Sequence, residues 1–182
     1  MKKTLLSLVI AVAPISAAFA QSNNTIKFIG EVTDQTCNVA INGTTANPTV
    51  LLPAVSTAEL DTSGKTAGKT DFTISVSGCT VSNTADQAIK TVFVGSKVSG
   101  GNLGNTAGGT NAATQVALQL FDPAKSGAPF DLSKPGGHTA SGLNLKKGDT
   151  SASYDFAVQY ISEGKATAGA VNGSVQYMVS YQ

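Results

Sequence analysis

The side chains best able to do chemistry are few. Cys37 and Cys79 are the only cysteines, and His138 is the only histidine among 182 residues. A zinc site takes about four nitrogen or sulfur ligands, and a copper site also needs more imidazoles or thiolates. Two thiols and one imidazole do not fill either, so no metal and no cofactor is expected. His138 lies in KPGGHTA and reads as a solvated turn histidine, because a catalytic imidazole needs an orienting partner. The eight aspartates and three glutamates are scattered along the chain. Asp122 and Asp131 flank a turn, where aspartate serves local hydrogen bonding. The nucleophile elbow, the zincin helix and the P-loop are all missing. GGNLGNTAGG, at 100–109, lacks the lysine and the following helix of a phosphate cradle. No acid–base or nucleophile constellation emerges, and the chain reads as something other than an enzyme.

The first twenty residues place these groups in a compartment. MKK gives a positive start, LLSLVIAVA a short apolar run, and Ala18-Phe19-Ala20 a small-x-small cleavage pattern. Residues 1–20 therefore read as a secretory signal peptide. The run falls short of the ~20 apolar residues that cross a bilayer. Cleavage after Ala20 removes Lys2 and Lys3, leaving ten lysines against eleven acidic residues and no arginine. Nucleic acid and anionic membranes need clustered cations, so neither is an expected partner. Low charge suits packing against copies of the same chain. In an exported protein the two cysteines are expected to form one disulfide. Closing that loop is worth about 4 kcal/mol in the chain-entropy model.

The elements that hold these residues read as short strands between turns, which is the mark of a β-sandwich or barrel. Residues 26–41 are expected to be extended and to end at Asn42-Gly43, a two-residue hairpin signal. Residues 48–52 are expected as a short return strand. A helical turn at 56–60 is expected, capped by Ser56 or Thr57. Strands follow at 70–77, 88–95 and 115–121. DPAKSGAP then turns into 129–132, and further strands cover 139–145, 153–161 and 174–182. Residues 95–113, rich in Gly, Asn, Ser and Thr, read as a flexible surface loop.

Both chain ends are unusual. In the first apolar alternation, Ile26, Phe28, Gly30 and Val32 share one face, with Lys27, Ile29, Glu31 and Thr33 on the other. A glycine on the apolar face of a strand marks a close approach of another backbone. At the other end, SVQYMVSYQ puts Val175, Tyr177, Val179 and Tyr181 on one face and stops at Gln182. From periodicity alone, residues 21–33 are equally well the first strand of their own sheet.

The order of these pieces resembles the major pilins of chaperone–usher fimbriae, type 1 subunits in particular. The matching pieces are IKFIGEV, QTCNV, FTISVSGC, TVFVG, QLFD, FAVQYISEG and the closing MVSYQ with its penultimate Tyr181. Together they cover essentially the whole chain after residue 20. The resemblance implies an incomplete immunoglobulin-like β-sandwich, lacking its last strand, completed by a donor strand from a neighbouring subunit. Residues 21–33 would be the donor extension and 34–182 the pilin domain. Ile26, Phe28 and Val32 would enter the neighbour's groove, with Gly30 where its floor is too high for a side chain. Val175, Tyr177, Val179 and Tyr181 would line the groove and meet the chaperone, with the Gln182 carboxylate held by chaperone cations. The implied partners are copies of itself, other pilus subunits, a periplasmic chaperone and an outer-membrane usher. The implied route runs through the periplasm to an extracellular fimbrium supporting adhesion. A minor adaptor pilin and a secreted carbohydrate-binding β-sandwich are the competing readings, and a subunit that inserts its own first strand stays open.

Overall fold

The computed structural model describes residue 32, residues 37–80 and residues 84–181. The expected signal peptide and most of the expected donor extension lie outside the described residues.

Two antiparallel sheets face each other. The first runs β1-β2-β9-β6-β5-β4, made of Asn38–Ile41, Thr66–Ser77, Ser151–Ser162, Val116–Phe121, Asn102–Gly104 and Val98–Ser99 in that spatial order. The second runs β10-β3-β7, from Val175–Tyr181, Gln87–Gly95 and His138–Ala140, with β8 (Asn144–Leu145) also paired to β3. The alternation in each long strand decides which face is buried. Phe72, Ile74 and Val76 of β2 meet Phe156 and Val158 of β9 on the inner side, and Ile89 and Phe93 come from the second sheet. Aromatic rings fill the centre, with Phe93 edge-on to Phe156 at 5.3 Å and to Phe72 at 6.5 Å.

Three local devices shape the frame. The disulfide forms between Cys37 and Cys79, whose Cα atoms lie 4.2 Å apart. It closes the end of the β1–β2 ladder, next to the Asn38–Ser77 pair. A bulge in β2 falls between Ala67 and Thr70. Gly68 sits there with φ +66°, where a Cβ would come within 2.9 Å of Tyr160 and Val55 side chains. The turn at Thr57–Leu60 is a 3-10 turn with Ser56 as cap: Ala58 N donates to Ser56 Oγ, and Ser56 N to Glu59 Oε2. Leu60 then joins Ala113, Val116 and Ala166 in a second, smaller core.

Several expected elements differ. Asn42-Gly43 does form a turn, with φ +49° and +79° and paired bonds between Ile41 and Thr44. The return strand at 48–52 does not form. Pro48 and Pro53 lack donors, and the segment leaves β1 to run extended along a groove. Residues 129–132 are no strand either. Pro129 makes one bridge with Phe121, and Phe130 and Leu132 turn into the core. The strand at 139–145 splits into β7 and β8. The stretch 95–113, read as plain loop, contains β4 and β5, which extend the first sheet beside β6. Leu103 supplies the reason: one buried leucine amid glycines anchors the hairpin.

Candidate functional site

Strand β10 alternates Val175, Tyr177, Val179 and Tyr181 with Gln176, Met178 and Ser180. Among the described strands it pairs with β3 alone, which leaves its other edge open from Val175 to Val179 among the described residues. The register sets Val175 opposite Gly95, Tyr177 opposite Phe93, Val179 opposite Thr91 and Tyr181 opposite Ile89. Directly opposed residues share a face, so all four point at the core. Ile89, Thr91 and Phe93 are each 1% exposed, yet their β10 neighbours are only half-buried. The core is covered as far as β3 and uncovered one strand further out.

A groove of about 870 Å³ opens at that margin. Val175 and Tyr177 form one wall, Val50 and Leu52 the other, with Phe93 and Leu120 in its floor. The second wall is the segment expected as a return strand. It keeps a strand's alternation: Val50 and Leu52 turn inward, and Leu51 between them is 84% exposed. Apolar burial and main-chain pairing are the main chemistry here, and Thr45, Asn47, Thr49, Ser174 and Gln176 add polar side chains to the lining. Thr91 adds one polar oddity, since its buried Oγ1 has no hydrogen-bond partner among the described residues.

Of the expected donor residues, Ile26, Phe28 and Gly30 lie outside the described residues, as does Gln182. Val32 is described and fully exposed. His138 is not a solvated turn residue. It belongs to β7, opposite Phe93, and its ring stacks on Phe130 at 4.2 Å and 11°. Burial holds its pKa below the ordinary imidazole value, Lys134 adds to the lowering, and Asp131 opposes it. Asp131 bonds locally as expected, whereas Asp122 has a local bond to Ala124 N and a long-range one to Tyr154. Asp122 is buried and accepts from Tyr154 Oη and from Ala124 N, and Asp131 accepts from Ser133 N and Oγ. Among the described residues no cluster of three or more His, Cys, Asp or Glu could hold a metal ion. No helix among them is long and apolar enough to cross a membrane.

The model of the family described as "Fimbrial protein" matches residues 26–182. The chain is 34% identical to the F17 fimbrial protein of Escherichia coli, over the full length of both. It is 36% identical to the major fimbrial subunit SMF-1 of Stenotrophomonas maltophilia, covering 94% of this chain and 99% of that one. Among solved structures, the P pilus rod subunit PapA shares the fold, with a TM-score of 0.58, 18% identity, and coverage of 80% and 99% of the two chains. The open-edged, disulfide-closed, immunoglobulin-like sandwich is thus a pilin fold, and the chain belongs to the fimbrial protein family, as a structural subunit of a pilus.

Proposed function

We propose that this chain is a shaft subunit of a chaperone–usher fimbrium that polymerises by donor-strand exchange. Residues 21–33 of one copy fill the groove of the next, adding a strand to the open edge of β10. Ile26, Phe28 and Val32 face inward, and Gly30 lies where the receiving backbone or side chains stand closest. Val175, Tyr177, Val179 and Tyr181 receive the strand, first from a periplasmic chaperone and then, at the outer-membrane usher, from the following subunit. The Gln182 carboxylate is held by chaperone cations during the first of these steps. After removal of residues 1–20 the subunit passes through the periplasm to a surface filament. Its role is assembly and adhesion, with no catalysis.

One observation supports this above others: the inner face of β10 is half-exposed over a groove that reaches the apolar core, while the same face of β3 is closed. Strand addition answers that geometry, because main-chain bonds give affinity and alternate side chains give register. Each large donor side chain contributes about 1.5–3 kcal/mol on full burial, and each ladder bond about 0.5–1.5 kcal/mol net.

The test is expression of the mature chain in a periplasm with and without its chaperone. Loss or aggregation alone, with rescue as a 1:1 complex, is the expected result. A stable monomer without the chaperone would overturn the open-groove reading and turn attention to glycan binding.

A further inference from the structure

We infer that the receiving edge is longer than β10, reaching back to Val171, and that Asn105 is the positioning residue that holds the extension straight. The inference rests on the strand-accepting role proposed above. It starts from where the main-chain groups of residues 170–174 go. Ser174 O accepts from Ser96 N at 3.1 Å and Ser96 Oγ at 2.8 Å. Asn172 O accepts from Thr106 N at 2.8 Å and Thr106 Oγ1 at 3.1 Å. Ala170 O accepts from Ala113 N at 3.0 Å, and Ala170 N donates to Asn111 O at 2.7 Å. Residues 170, 172 and 174 thus all address the 96–113 stretch.

In an extended chain, alternate residues aim their main-chain groups to opposite sides. Val171 and Gly173 therefore aim the other way, and neither makes a main-chain bond among the described residues. That direction is the one taken by Val175, Tyr177 and Val179, because Ser174 already faces β3's continuation at Ser96 and the register carries on unbroken from Gly95. The open row runs from Val171 into β10, and Gly173 lines the groove beside it. Residues 21–33 are long enough to cover such a row.

β3 ends at Gly95 and cannot back residues 170–173. Asn105 takes over. Its Nδ2 donates to Ala170 O and to Ala113 O, each at 2.9 Å. Its Oδ1 accepts from Asn172 N and from Ala107 N, each at 2.9 Å. All four bonding positions of the amide are used. A carboxamide has the donor and acceptor of a peptide group, so this side chain pairs with residues 170 and 172 as a neighbouring strand would. The fit is tight: a Cβ at Gly169 would lie 2.4 Å from Ala113 N.

The experiment is amide hydrogen exchange on filaments assembled from the full mature chain. In wild-type filaments the amides of Val171 and Gly173 should be as protected as those of Val175 and Tyr177. Free exchange at 171 and 173 beside protection at 175 and 177 would end the edge at β10, sinking this inference and sparing the assembly reading. Free exchange at all four would sink both. In Asn105→Ala filaments, exchange at 171 and 173 should quicken at least about tenfold, with 177–181 unchanged. Unchanged exchange would show that Asn105 holds nothing at the edge. Should Asn105→Ala give no filaments, Thr106→Val removes only a hydroxyl bond to Asn172 O. It should quicken exchange at 173 about threefold, and no change there would count against the backing role.

Discussion

His138 and Phe130 form a contact that favours the neutral imidazole. The stack at 4.2 Å removes part of the ring from water, and burial lowers its pKa from the ordinary value, with Lys134 acting the same way. A folded pKa below the unfolded one means that the unfolded chain binds the proton more readily. The stability contributed by His138 is therefore full above about pH 6.5 and falls as pH drops through that value toward the lowered one. His138→Asn should flatten this dependence, read as denaturation midpoints of filaments between pH 8 and pH 5. Tyr154 donates to both oxygens of buried Asp122, at 3.0 and 2.9 Å. Tyr154→Phe leaves that carboxylate short of a donor and should cost about 1.5–3 kcal/mol in the same assay. Gly30→Leu should block polymerisation and leave the chaperone complex intact, and normal filaments from it would count against the close-approach account. At this scale the sequence displays some roles and conceals others. Asp131 was legible because a turn aspartate bonds locally whatever the fold, and Asp122 only in part, since its bond to Tyr154 comes from a distant strand. His138 was not, because KPGG signals a turn and gives no hint that the next residues join β3 over a phenylalanine. Asn105 was hidden for the same reason, since its four partners are main-chain atoms that only folding brings together.

Elements were legible in proportion to their alternation. β2, β3, β9 and β10 carry β-branched and aromatic residues at every second position, and each appears within a few residues of its expected place. Residues 48–52 have the same alternation without a ladder, because a strand needs a neighbour as well as a pattern. In the proposed assembly that neighbour arrives from another molecule. Deleting residues 21–33 should accordingly leave a soluble chaperone complex that cannot cap the subunit before it, as seen by native gel of the assembly products. Long rods from that deletion would make the segment an ordinary first strand. The hairpin of β4 and β5 was invisible for the opposite reason: glycine and asparagine hide a two- and three-residue pairing that Leu103 anchors.

The whole molecule is a sandwich closed at one margin by chemistry and left open at the other. The two cysteines were enough to predict the closure, because an exported chain with two thiols has one pairing available. The openness could not be read from periodicity, which looks the same for a core strand and an edge strand. The family resemblance supplied it. Cys37 lies immediately before β1 and is bonded to Cys79 just beyond β2. Among the described residues β1 is four residues long and paired on one side, whereas β2 has twelve and pairs with both β1 and β9. In a filament joined through residues 21–33, tension reaches β1 from the Cys37 side. The covalent bridge hands that load straight to β2, so β1 is never peeled from its edge. Pulling single filaments should show the subunits yielding at clearly lower force after reduction, with the first added extension matching the release of residues 38–78.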